Sequence, residues 1–471
     1  MTRRRKAPAA PRPSPVPADG KHAALLGLTL ALMAAVLWVH RDIYWRPFDD
    51  HPQESTVSYH AFGFAAANGA GLWPNPVVAR QIDIRESRIV NYTHWPNGFF
   101  LAFEAVLQVF GRTETVGRWV AILGTLAGFT LLVISVERAG PLLYLTLPVL
   151  LLSSAGRDSV GFIFIDVALN LWAGLLLAIP AHLSSRPWRH RIFRAAMILA
   201  VFSNQLIVPF AAGVILIRWQ QTRSRRGLLI DLAVLASATI AVLALLAAGM
   251  GSLEAGRAEL VRIFRIRSST AAASWLPALD TELRHLFHLG PAAGSILVIG
   301  AWAACVRARQ WRVAMLLPGF LALTLLLRQY IAGHHFARLP FVLYSLITVA
   351  VAVELLAGRL GRLRNWTRLT AAGLLVAGAV AGRQQYEVNR GMQITRGAIL
   401  TTLSDPRQQL ALEQCNQFQF HPDYREEGFD PLGLMGQFYF GPQVVQRVRR
   451  GEPRRPCTVD LETFLIRPGA R

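Results

Sequence analysis

Three groups of residues in this chain could do chemistry at the edge of an apolar phase. Asp49, Asp50 and Glu54 fall within RPFDDHPQES, shortly after a long apolar run. Asp166 lies in FIFIDVALN, flanked by apolar residues. Arg328, His334, His335 and Arg338 crowd into RQYIAGHHFARLP. A carboxylate can take the proton of an attacking hydroxyl. Arginine forks bind phosphate oxygens two at a time, and a cationic cluster stabilises a departing phosphate. The chain's two lysines, Lys6 and Lys21, lie outside these segments, so arginine and histidine must carry any anion-binding role. The chemistry these types support together is group transfer away from a phosphate.

Each group also has a plainer reading. Asp49 and Asp50 could cap a helix over residues 56–68, in a solvated turn. Asp166 could be an N-cap paired with Arg157. His334 and His335 could anchor the chain at the membrane interface. As catalytic base, Asp50 is preferred over Asp49, and both over Glu54. Tyr59, His94 and Trp95 belong to the same polar loop as these acids and are candidate substrate contacts. Asp83 and Glu86, interleaved with Arg85 and Arg88, read as a solvated ion-pair run. No cofactor is required by these patterns. A divalent metal on Asp49 and Asp50, or zinc on His334 and His335 with His94 or Glu54, fits the donor types without any spacing that demands it.

Something must hold these groups at an interface. The 471-residue chain is 53% hydrophobic and only 16% charged, with a mean hydropathy of +0.35. That composition belongs to a polytopic membrane protein, all-α, with about eleven spans. The formal charge of +21 lies largely in short loops between apolar runs, which is a topology signal, and no basic stripe or binding motif points to nucleic acid. The basic, proline-rich residues 1–22 read as a disordered cytoplasmic segment ahead of a retained anchor at 23–39. Residues 41–118 are then the first external loop, with a helix at 97–110 lying along the membrane surface. Further spans fall at 119–136, 141–154 and 167–183. The run 195–217 has basic segments on both sides, so it must cross an even number of times. The break Ser203-Asn204-Gln205 makes it a short helical hairpin. Spans at 228–250, 292–306, 313–327, 341–356 and 369–381 complete a domain over 23–382. The external loop 251–290 carries a basic amphipathic segment at 257–267. Residues 383–471 are expected outside, as a small domain bridged by Cys415 and Cys457.

These motifs, in this order, resemble the GT-C-type membrane glycosyltransferases, the group that includes protein O-mannosyltransferases and lipid A aminoarabinose transferases. Four elements carry the resemblance: the acids after the first span, YTHWPNGFFLAFEAVLQVFG, Asp166 opening IDVALNLWAGLLLA, and FARLPFVLYSLI. Together they cover roughly residues 23–356. Tyr59 stands five residues after Glu54 and nine after Asp50, where the family commonly spaces acid and tyrosine by about four. The resemblance implies a polyprenyl-phosphate sugar as donor, transfer on the non-cytoplasmic face of the cell membrane, usual inversion at the sugar carbon, and a glycan, lipid or protein acceptor.

Overall fold

The computed structural model describes residues 20–41, 79–83, 88–92, 98–111, 114–136, 140–160, 166–182, 188–268, 275–333, 336–382, 405–408, 417–420, 456–459 and 466–468. Asp49, Asp50, Glu54, Tyr59, His94, Trp95, His334, His335 and Cys415, with the expected helix at 56–68, lie outside the described residues.

The chain is mostly helix. The first apolar run is α1, Gly20–Val39. In the polar loop, β1 (Ala79–Asp83) and β2 (Arg88–Tyr92) pair antiparallel, with Asp83 opposite Arg88. Asp83 and Arg88 of the expected ion-pair run thus stand at the ends of paired strands, and Arg85 and Glu86 lie outside the described residues. After it come α2 (Gly98–Phe110), α3 (Glu114–Ile134), α4 (Pro141–Leu152), the short α5 (Ser154–Ser159) and α6 (Asp166–His182). Then follow α7 (Arg189–Ser203), α8 (Ile207–Thr222), α9 (Arg225–Gly249), α10 (Leu253–Ser268) and α11 (Trp275–Phe287). The last stretch holds α12 (Ala293–Arg307), α13 (Trp311–Ala314), α14 (Leu316–Leu326), α15 (Arg328–Gly333), a 3-10 turn at Phe336–Arg338, α16 (Leu339–Arg359) and α17 (Arg364–Gly382). In the tail, β3 (Gln417–Phe420) lies parallel to β4 (Pro456–Val459), and β5 (Ile466–Pro468) lies antiparallel to β4; Cys457 sits opposite Phe418.

Among the described residues four helices are long and apolar enough to cross a membrane: Gly20–Val39, Thr115–Ile134, Arg225–Gly249 and Leu339–Arg359. Shorter apolar helices fill in around them, such as Pro141–Leu152 and Val167–His182. The span expected at 313–327 is two pieces, and Pro318 is the reason. It has no N–H for the Ala314 carbonyl, and its ring crowds that carbonyl. The Ala314 oxygen accepts from Trp302 Nε1 instead, at 2.8 Å.

The run read as a hairpin is one. Arg194, near the start of α7, donates from Nε to Asp231 Oδ1 at 2.8 Å, and Arg218, near the end of α8, donates from Nη1 to Asp231 Oδ2 at 2.8 Å. A single straight helix would part these two arginines by about 36 Å. Both reach one carboxylate on α9, so α7 and α8 turn back on each other. The turn is at Asn204, whose side-chain oxygen accepts from Leu206 N at 2.9 Å.

Other polar contacts collect at this same end of the bundle, here called the Asp231 end. His182, the last residue of α6, lies against Ile134 and Arg312. Arg312 donates to the Ser135 carbonyl at 2.9 Å, just after α3. Glu354, late in α16, accepts from Leu142 N at 3.3 Å and from Arg368 Nε at 2.9 Å.

Helices α3 and α6 make the closest approach. A Cβ on Gly124 would meet Val167, one on Gly128 would lie 2.4 Å from the Asn170 carbonyl, and one on Gly174 would lie 2.3 Å from the Gly128 carbonyl. Only small residues allow backbones so near. Increasing numbers on α3 face increasing numbers on α6, so the two run parallel, as the alternation of spans requires.

Candidate active site

The end of the bundle opposite Asp231 gathers the start of α6, the end of α1, the first turns of α3, and the short elements α5, α11 and α15. Asp166 is the first residue of α6. The contact of Gly124 with Val167 sets its backbone at the level of Leu123. That is nine residues, or about 13 Å, along α3 from Glu114. An acid at such depth marks a candidate functional position. One turn on along the same face stands Asn170, 1% exposed, whose Oδ1 has no hydrogen-bond partner among the described residues. Arg157, the expected ion-pair partner of Asp166, is buried on α5 at 7% exposure.

The two described arginines of the expected phosphate cluster part company. Arg328 opens α15 and is exposed. Arg338 turns inward: Nη1 donates to Glu282 Oε1 at 3.0 Å, Nε to the Ile331 carbonyl at 2.8 Å and Nη2 to the Ala332 carbonyl at 2.7 Å. It ties α11, α15 and the start of α16 together. Burial pushes the Glu282 carboxyl above its ordinary range, and Arg338 pulls part of that shift back. Glu282 was not among the residues the sequence singled out. Its signal was there: Leu279, Glu282, Leu283 and Leu286 fall on one buried face of α11, so the acid had to have a partner.

A groove of about 1030 Å³ runs between α1 and α3, lined by Leu30, Leu37, Trp38, Trp119 and Leu123, with Arg41 at its mouth. The Arg41 guanidinium lies 5.2 Å from the Trp38 ring centre and donates to the Trp38 carbonyl at 3.3 Å. The groove is apolar along its length and cationic at one end, and Leu123 brings its wall to the depth of Asp166. Arg41 and Trp119, at the two ends of the polar loop, were missed because neither belongs to a motif. An arginine following a span, with tryptophans beside it, was the available signal. No cluster of three or more metal-ligating side chains occurs among the described residues.

No protein-family model matches the sequence, and no curated protein does. Among solved structures, the crystal structure of ArnT from Cupriavidus metallidurans bound to undecaprenyl phosphate superposes over 94% of each chain, with a TM-score of 0.52 and 14% sequence identity. This is the GT-C membrane glycosyltransferase fold. The polytopic, mainly helical architecture read from composition is thereby established. The short strands are additions to it, in the polar loop and the tail.

Proposed function

We propose that this protein moves a sugar from a polyprenyl-phosphate donor to a hydroxyl acceptor on the non-cytoplasmic face of the cell membrane. The observation that carries this reading is the apolar groove headed by Arg41, beside a helix that opens on Asp166 at the same depth. ArnT, which shares the fold, was crystallised with undecaprenyl phosphate. In the proposed reaction a carboxylate of the first loop, Asp50 ahead of Asp49 and Glu54, takes the acceptor proton. The acceptor oxygen bonds to the sugar's anomeric carbon, the bond from that carbon to the phosphate oxygen breaks, and polyprenyl phosphate leaves carrying the electron pair. Attack opposite the leaving group inverts the carbon. Arg41 and Arg328 meet the departing charge, with His334 and His335 as further donors. Asp166 orients the acceptor or the sugar at the helix mouth.

The N-terminus is cytoplasmic and the tail external in this reading, and an external Cys415–Cys457 bridge closes the tail. Cysteines engineered into residues 251–290 should react with an impermeant reagent from outside, and those in 184–191 should not. The decisive assay is acceptor-dependent release of polyprenyl phosphate by the purified protein, across a series of sugar donors. Asp50→Asn, Asp49→Asn, Glu54→Gln and Asp166→Asn are run in parallel, and loss of the true base should cost on the order of a hundredfold or more. Near wild-type turnover in all four would sink the carboxylate mechanism. No release from any donor would sink the glycosyltransferase reading.

A further inference from the structure

A second groove lies at the other end of the molecule, between α12 and α16. It has a volume of about 540 Å³ and is lined by Leu297, Gly300, Ala304 and Leu356, with Arg307 and Arg359 at its mouth. We propose that this groove is a binding site for an anionic phospholipid, with the phosphate held between the two arginines and an acyl chain along the groove.

The placement of charge is the first reason. Both helices end at the Asp231 end, and each arginine stands in the last turn of its helix. Neither has a carboxylate partner among the described residues. The nearest acid along α16, Glu354, is engaged by Arg368 and by Leu142 N. Two arginines lining one groove, with no acid among its lining residues, make a site for an anion. The remaining lining is apolar, so the anion must carry a hydrocarbon chain.

The groove wall supplies the second reason. Ile296 and Leu356, both lining it, are 69% and 51% exposed, a surface that only a bilayer covers favourably. Small residues hollow it out, and a Cβ on Gly300 would meet nothing within 4 Å. The groove beside α11 and α14 makes a useful contrast. It is lined by Leu279, Trp302 and Phe341, and its acidic lining residue is Asp280, which a phosphate would avoid. The occupant is a membrane phospholipid and not the donor lipid, because the arginines lie at the end of the bundle away from Asp166. This inference does not depend on the proposed transferase activity.

The test is native mass spectrometry of the full-length protein in detergent, titrated with phosphatidylglycerol, phosphatidylcholine or polyprenyl phosphate. Wild type should hold a phosphatidylglycerol adduct and no comparable phosphatidylcholine adduct. Arg307→Ala and Arg359→Ala should each weaken the adduct about fivefold. Arg223→Ala with Arg226→Ala, at the junction of α8 and α9, should leave it unchanged. Gly300→Leu should abolish the adduct by filling the groove. It puts a better helix former at an open position, so thermal stability in phosphatidylcholine should be equal or higher. Unchanged binding in the Arg307/Arg359 double variant, or equal binding of phosphatidylcholine, would overturn the proposal. Preferential binding of polyprenyl phosphate, lost in Gly300→Leu, would replace it with a second donor-lipid site.

Discussion

Asp231 and Glu282 are both nearly buried carboxylates held by arginine, at opposite ends of the same bundle. Asp231 takes two arginines from two helices and fixes where three helix ends meet. Glu282 takes Arg338 alone, and that arginine spends two more donors on the carbonyls of Ile331 and Ala332. One carboxylate clamps transmembrane helices to each other. The other clamps the short α15 and the start of α16 to α11. The comparison teaches that an arginine in a promising loop can be a fastening, and that its neighbour Arg328, exposed at the start of α15, is the better candidate for meeting substrate.

Removing the clamp with two partners should cost most. Asp231→Ala leaves Arg194 and Arg218 without their counter-ion, and a broken buried pair costs about 3–5 kcal/mol. The thermal midpoint of the purified protein should fall sharply, while donor affinity of the folded fraction stays put. A drop in donor affinity at unchanged stability would erase the distinction between the two ends. Glu282→Ala should cost about 3 kcal/mol by the same reasoning. Here donor affinity should fall too, since residues 331–338 lose their anchor. Gly128→Ala tests the frame between the two ends. Its Cβ would lie 2.4 Å from the Asn170 backbone, so α6 must shift. Overpacking of this kind costs about 1–3 kcal/mol, and displacement of Asp166 should slow transfer on the order of tenfold or more. Equal turnover in Gly128→Ala would show that the α3–α6 register does not set the site.

The smallest effect is a pH dependence. Glu282 has a folded-state pKa raised by burial, so its contribution to stability is fully present below the unfolded carboxylate range and is lost as pH rises through the folded value. Glu282→Gln keeps an acceptor for Arg338 and removes the titration. The stability of wild type relative to Glu282→Gln should therefore decline as pH rises above the ordinary carboxylate range. Thermal melts of both proteins at matched ionic strength check this, and a gap that widens in favour of wild type would reverse the assignment.

Much of the architecture was legible in the sequence because the bilayer imposes simple rules. Apolar length marks α1, α3, α9 and α16, and the basic flanks of 195–217 mark the hairpin at Asn204. Tertiary partnerships were not legible. Nothing local says that Arg338 should find Glu282, dozens of positions away, or that Arg312 should close on the Ser135 carbonyl. The β1–β2 stem is hidden among alternating charges, although Ile82 pairs with Ile89 and Val90 with Gln81. The α11 helix is readable from the spacing of Leu279, Leu283 and Leu286, although it stands in a segment that reads as a loop between spans.

The hairpin has a consequence for the membrane itself. Helices α7 and α8 hold 15 and 16 residues, about 22 and 24 Å of rise. The hydrocarbon layer is roughly 30 Å thick. Ile198, Leu199 and Leu216 are exposed on these helices, so lipid tails must meet the short pair directly. A bilayer answers such mismatch by thinning where it touches the protein. Gly98, at the head of α2, packs on the Phe202 carbonyl near the end of α7, which places α2 over the dip. By that mismatch, lipid headgroups on this flank would ride lower than elsewhere, and the phosphate of the proposed donor would come toward the depth of Asp166 while still in its own headgroup layer.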